Sequence, residues 1–254
     1  MLNIDLTGRV AVVTGGAGQL GRVICRTLAK AGADVAIAYR GSREMALSLE
    51  KEIRAMGRKA LAVQVDVSDL ASVSAMEQAI AEKLGKADIV VAAAVEQYSW
   101  TSVLQQDNSD FESQFRTCVL HNVNMAKCFV PAMQQRGWGR YIAINTECAM
   151  QCWPGQGAYV SGKRGMDGAL RVLAKEVGAS GVTVNQVAPG WTISDDDRAN
   201  GTQVRPEYDP NVPLKHRGTD QDIANAVAFL ASDMACFITG VYLPVCGGNV
   251  MPTI

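Results

Sequence analysis

Short apolar runs alternate with amphipathic stretches along the whole chain, and nothing else in the sequence restricts the fold as much. Arg9–Thr14, Asp34–Tyr39, Ala60–Val67, Asp88–Val95, Arg140–Thr146, Val182–Ala188 and Val241–Val245 read as buried strands. Between them, Leu20–Ala31, Ser42–Met56, Asp69–Lys83, Asn108–Arg136, Gly155–Gly178 and Asp220–Ser232 read as helices. Apolar strands separated by helices predict a mostly parallel sheet covered on both faces. No repeat, linker or low-complexity tract divides the 254 residues, so one α/β domain over 1–254 is expected. Only 190–218, rich in Asp, Pro and Gly, lacks periodicity. It follows a strand, where ligands enter such sheets, and reads as a substrate lid.

Thr14-Gly15-Gly16-Ala17-Gly18-Gln19-Leu20-Gly21 joins the first strand to the first helix. Glycines there permit a tight turn and let backbone N–H groups approach a pyrophosphate at the positive helix end. A glycine cluster alone is weak evidence; between a buried strand and a helix it predicts a dinucleotide site on a Rossmann-type, doubly wound, seven-stranded sheet. The second strand ends at Tyr39-Arg40-Gly41-Ser42-Arg43. A site for NAD places a carboxylate there to hold the ribose hydroxyls. Tyrosine followed by arginines and a serine favours NADP(H) over NAD(H), because guanidinium forks match a 2′-phosphate.

Tyr159 and Lys163 stand four residues apart, on one face of a predicted helix. An ammonium beside a phenol lowers its pKa and lets it exchange a proton with a carbonyl oxygen. With Asp66 in Val65-Asp66-Val67, Asn185-x-Val-Ala-Pro189-Gly190 and Ile238-Thr239-Gly240…Gly247-Gly248, these motifs make the whole chain resemble the short-chain dehydrogenase/reductase family. In layout it is similar to the 3-oxoacyl-[acyl-carrier-protein] reductases. The resemblance implies an NAD(P)H-dependent oxidoreductase that interconverts a ketone and a secondary alcohol. Tyr159 would be its acid/base and Lys163 its ribose ligand. The substrate-polarising hydroxyl, thirteen residues before the tyrosine, would be Thr146. Cofactor contacts would fall on Gly15, Gly18, Gln19, Leu20, Gly21, Tyr39, Arg40, Ser42, Asp66, Val67, Ala93, Tyr159, Lys163, Pro189, Gly190, Thr192 and Ser194. Substrate contacts would fall on Glu96, Glu147, Trp153 and Trp191.

Four positions depart from the family pattern. Thr146 replaces serine; Cys118 stands where a relay asparagine is expected, counted from Pro131 as the end of the fourth helix. Ala92-Ala93-Ala94-Val95 replaces Asn-Asn-Ala-Gly, and Gln19 takes the place of the middle glycine of the nucleotide loop. These departures open a second reading, a cofactor-binding regulatory or structural subunit with weakened catalysis. The retained Tyr159, Lys163 and hydroxyl at 146 favour the enzyme.

Charge and cysteine usage narrow the surroundings. With 24 basic and 25 acidic side chains the chain offers no basic face for nucleic acid. The longest apolar run, Ile89–Val95, is far short of the roughly 18 residues of a membrane span. The seven cysteines lack metal spacing and read as reduced thiols of a cytoplasmic protein, with no metal expected. The family resemblance implies a homotetramer. Cyclic or hydroxylated ketones and keto-acyl thioesters remain equal candidates as small-molecule substrate.

Overall fold

In the computed structural model, which describes residues 4–252, seven strands form one sheet in the order β3-β2-β1-β4-β5-β6-β7. The strands are β1 (Val10–Thr14), β2 (Asp34–Tyr39), β3 (Ala60–Gln64), β4 (Ile89–Ala92), β5 (Gly139–Ile144), β6 (Val182–Pro189) and β7 (Tyr242–Val245). Every pairing is parallel, so the expected "mostly parallel" sheet is wholly so. Val12 pairs with Ala36 on one side and Val90 on the other, which makes the β1–β4 boundary the point where chain order reverses. Ligand crevices open at the carboxyl ends of strands at such a point.

Because strand side chains alternate, each strand feeds two cores. Ala11, Val13, Val35, Ile37, Ile89, Val91 and Ile142 pack beneath α1 (Gln19–Lys30), α2 (Arg43–Ala55) and α9 (Asp220–Ala231). Val10, Val12, Ala36, Ala38, Val90, Tyr141 and Ala143 face α3 (Leu70–Lys83), α5 (His121–Arg136) and α7 (Gly157–Val177). Two strands end sooner than their apolar runs. Beyond Gln64 and Ala92 the chain leaves the sheet, and Val65–Val67 and Ala93–Gln97 contribute to a cleft wall instead.

The helix expected over 108–136 is interrupted. α4 (Asn108–Gln114) passes into a π-helical turn, Phe115–Leu120, before α5 begins. Side chains compete here for carbonyls: Thr117 Oγ1 donates to Ser113 O at 2.8 Å, His121 Nδ1 to Thr117 O at 3.1 Å and Asn122 Nδ2 to Cys118 O at 2.7 Å. Such bonding draws carbonyls out of the regular ladder. Pro131 lies inside α5 and does not end it; the helix stops at Gly137, whose φ of 68° is left-handed.

The aperiodic segment 190–218 is built around one carboxylate. Asp197 accepts from Arg217 Nη2 at 2.7 Å and Arg205 Nη2 at 2.6 Å, and its side chain forms a capping box with Ser194 at the start of the short α8 (Asp195–Ala199). Arg217 also grips the carbonyls of Trp191 and Thr192 at 2.9 and 2.7 Å.

Candidate active site

At the switch point lies a cleft of about 540 Å³. Gly15 (φ 64°) opens its floor, and a Cβ on Gly21 would stand 2.1 Å from Gly15 O, so only glycine lets α1 meet the loop this closely. Gly18, the N-cap of α1, has no side-chain cap, and the N–H groups of the first turn are left for a ligand. Gly15, Gly18, Gln19, Leu20, Gly21, Tyr39, Arg40, Ser42, Asp66, Val67 and Ala93 all line the cleft. This cradle fits a dinucleotide.

Three expected contacts are used differently. Gln19 Nε2 donates to Ile193 O at 2.9 Å and straps the nucleotide loop to the 190–218 segment. Ser194 gives its N–H and its hydroxyl to Asp197 Oδ2, both at 2.9 Å, and so caps a helix. Thr192 yields its carbonyl to Arg217. Arg40 forms a bidentate pair with Glu96 at 2.8 and 3.0 Å, which holds the Glu96 carboxyl below the usual carboxylate range. Glu96 thus lines both the nucleotide cleft and the second cavity, with its carboxylate held by Arg40.

β5 and α7 bring the reactive groups together. Thr146 follows β5, and Asn145 beside it is pinned to Gln186 Oε1 at 2.6 Å. Lys163 is buried, donates to Ile144 O at 2.6 Å, and stands 5.7 Å from the Tyr159 ring centre. The first turn of α7 is capped from outside: Tyr159 N–H donates to the Tyr98 hydroxyl at 2.7 Å. Trp100 stacks on the Tyr159 ring with centroids 6.1 Å apart. Burial pushes the Tyr159 phenol up, with the Thr146 hydroxyl opposing, and pushes the Lys163 ammonium down. This is opposite to the direction expected for Tyr159, because burial outweighs the opposing hydroxyl.

Cys118 lies at the π turn with its thiol buried and pushed up by burial, 3.9 Å from Gln114 Oε1. Its carbonyl, not its thiol, is the strong hydrogen-bond group, and Asn122 already holds one of its lone pairs. The replaced Asn-Asn-Ala-Gly stretch is braced by residues the sequence reading passed over. Thr14 Oγ1 accepts from Ala93 N–H at 3.0 Å and Ala94 N–H at 3.3 Å, and it meets His121 Nε2 at 3.0 Å. Since Thr117 O can only accept, His121 carries its proton on Nδ1 and Nε2 receives the Thr14 hydroxyl. Burial lowers the His121 pKa to about 4.

A second cavity, about 360 Å³, shares Glu96 and Gln97 with the cleft and contains Tyr159, Thr146, Glu147, Trp153, Gly190 and Trp191 in its wall. Glu147 is buried; it accepts from Tyr208 Oη at 2.7 Å and Asn249 Nδ2 at 3.0 Å. Tyr208, Gln156 and Asn249 were not legible as site residues, since nothing local in the sequence marks them.

The second cavity carries Tyr159 and Thr146 in its wall, with Lys163 buried behind the tyrosine ring, and comparison with known proteins decides the family. The Enoyl-(Acyl carrier protein) reductase family model matches residues 15–249. The chain belongs to the short-chain dehydrogenase/reductase family. It is 34% identical over 241 residues to a 3-oxoacyl-[acyl-carrier-protein] reductase of Staphylococcus aureus (strain Mu50 / ATCC 700699), covering 95% of this chain and 98% of the relative. A 7α-hydroxysteroid dehydrogenase solved with NADH and 7-oxo glycochenodeoxycholic acid is similar at TM-score 0.88 and 29% identity, covering 98% of this chain and 96% of that one. A blue fluorescent protein from a metagenomic library, solved with NADPH, gives TM-score 0.89 and 32% identity over 97% of this chain and all of that one. A member of this family with these motifs is an NAD(P)-dependent oxidoreductase, and the short-chain fold carries it from the nucleotide loop to the last strand.

Proposed function

We propose that the protein interconverts a ketone and a secondary alcohol with NADP(H), with Tyr159 as its proton donor and acceptor. The observation that carries this reading is the meeting of Tyr159, Lys163 and Thr146 where the nucleotide cleft adjoins the second cavity. The bound nicotinamide supplies or receives the hydride. The neutral Tyr159 hydroxyl gives its proton to the carbonyl oxygen, and the Thr146 hydroxyl holds that oxygen by a hydrogen bond. Lys163 holds the ribose and favours the phenolate left behind. Cys118 positions the relay through its carbonyl, which keeps a second lone pair.

Gly15, Gly18, Leu20 and Gly21 cradle the pyrophosphate, and Asp66, Val67 and Ala93 hold the adenine side. Tyr39, Arg40 and Ser42 receive the 2′-phosphate, with Arg40 exchanging its Glu96 partner for the phosphate. Pro189 and Gly190 border the nicotinamide. Trp153, Trp191 and Glu147 form the substrate wall, and 190–218 acts as the lid. The half-open apolar groove between α5 and α7, formed by Val123, Val130, Ala169 and Leu173, supports a homotetramer. A cytoplasmic location suits the free thiols.

NADPH consumption over a panel of ketones, wild type beside Tyr159→Phe, tests the reading. Turnover by the wild type and a loss of about 1,000-fold or more in the variant, with NADPH affinity retained, is expected. Equal turnover by both would overturn it.

A further inference from the structure

The second cavity has a distinctive chemistry. Among the described residues of its wall none is Arg, Lys or His. Three arginines of 190–218 that could greet an anion are engaged elsewhere, while Lys215 lies exposed outside the cavity wall with its ammonium on Pro210 O at 2.8 Å. Arg205 and Arg217 both grip Asp197, and Arg198 pairs with Asp195 at 3.1 Å and Asp220 at 2.9 Å. Arg205 and Arg217 also stand 5.1 Å from the Trp191 ring centre, so they fix that ring as a wall. An anionic substrate group entering here would lose water and find no cation in return.

Acceptors, by contrast, are in surplus. Gln156 is 4% exposed, belongs to the cavity wall three residues before Tyr159, and its Oε1 has no hydrogen-bond partner. A buried amide oxygen without a donor costs stability, so such an atom in a native cavity marks a place where a donor from outside is received. Glu147 faces the same space with two accepted bonds on two oxygens, and each oxygen retains acceptor capacity. Around them stand Trp100, Trp153 and Trp191, which suit the flat face of a ring.

From this arrangement we infer that Gln156 Oε1, with Glu147 beside it, forms a hydroxyl-recognition subsite, and that the substrate is a neutral cyclic ketone carrying a hydroxyl near its carbonyl. The inference rests on the reaction proposed above and narrows its substrate to a class. It disfavours substrates whose anionic group must enter the cavity. A ring presenting its carbonyl to Tyr159 and Thr146 donates its neighbouring hydroxyl to Gln156.

The test compares 1-tetralone, 2-hydroxy-1-tetralone and 2-methoxy-1-tetralone as substrates of the NADPH-loaded enzyme. The methoxy compound retains the oxygen and removes the donor. Wild-type kcat/KM is expected to favour the hydroxy over the methoxy ketone by roughly tenfold or more. That ratio should collapse toward one in Gln156→Leu and persist in Gln156→Glu, which keeps an acceptor. Equal kcat/KM for hydroxy and methoxy ketones in the wild type overturns the subsite, and this comparison needs no variant to fold. A ratio untouched by Gln156→Leu overturns it as well. Calorimetry separates recognition from reaction by titrating the matching tetralin-1,2-diol and its dimethyl ether into the enzyme with NADP. If no ketone turns over yet the diol binds about tenfold tighter than the ether, the proposed reaction fails and the subsite stands. If neither compound binds, or both bind alike, and the ketones are not discriminated, the subsite falls.

Discussion

Tyr159 and Lys163 were readable as candidates from their four-residue spacing together with their place beyond the fifth strand, and Thr146 from the offset that the family resemblance implies. His121 was not, although it holds the end of β4 where the family's amides are missing. Its role depends on Thr14, 107 positions away in sequence, and only the fold brings them within 3.0 Å. The pair makes a pH prediction. A buried histidine whose pKa falls from 6.5 to about 4 contributes stability that is present above 6.5 and lost as the pH falls toward 4. At pH 5 the loss is about 2 kcal/mol. Thermal melts at pH 7.5 and pH 5 should show His121→Gln with a smaller acid-induced drop than the wild type, even if it melts lower at pH 7.5. Arg40 gives a second test at this scale. Arg40→Ala should lower kcat/KM for NADPH roughly tenfold and leave NADH nearly unchanged, because only the former carries a phosphate for the guanidinium. Parallel kinetics with both cofactors checks it.

Among the elements, the seven strands and six long helical tracts were visible because buried parallel strands are apolar along their length. Their carboxyl ends were not, since Val65, Val67 and Ala93–Val95 carry the apolar pattern on after the sheet has ended: they line a ligand cleft. The π turn was equally hidden, as it arises from Thr117, His121 and Asn122 competing for carbonyls in a stretch whose periodicity remains helical. The glycine loop is the element whose tolerance is lowest. Gly21→Ala would place a methyl carbon 2.1 Å from a backbone oxygen that no side-chain rotation can relieve. NADPH titration should show affinity reduced by more than tenfold, and the melting temperature should fall with it.

For the whole molecule, the sheet order follows from local signals, but the organisation of 190–218 does not. Nothing in the aperiodic sequence separates Asp197 from Asp195 and Asp196, yet it is the centre of the segment, flanked by Arg217, whose side chain is fully buried, and by Arg205. Breaking a buried pair leaves an uncompensated charge. Asp197→Asn should therefore loosen the segment, raise KM for the ketone more than for NADPH, and speed proteolytic cleavage between residues 190 and 218, measurable by mass spectrometry of timed digests.

Two links tie that segment to the nucleotide loop, Gln19 to Ile193 and Arg22 to Asp195. Both spring from the first turns of the helix that receives the pyrophosphate. With 190–218 as the proposed lid, the cover over the ketone would be anchored to the turn proposed to receive the dinucleotide, and the two binding events would not be interchangeable in time. The cofactor is expected to enter first and leave last. In steady-state terms NADP should compete with NADPH but inhibit noncompetitively against the ketone, a signature of compulsory order written into two side chains.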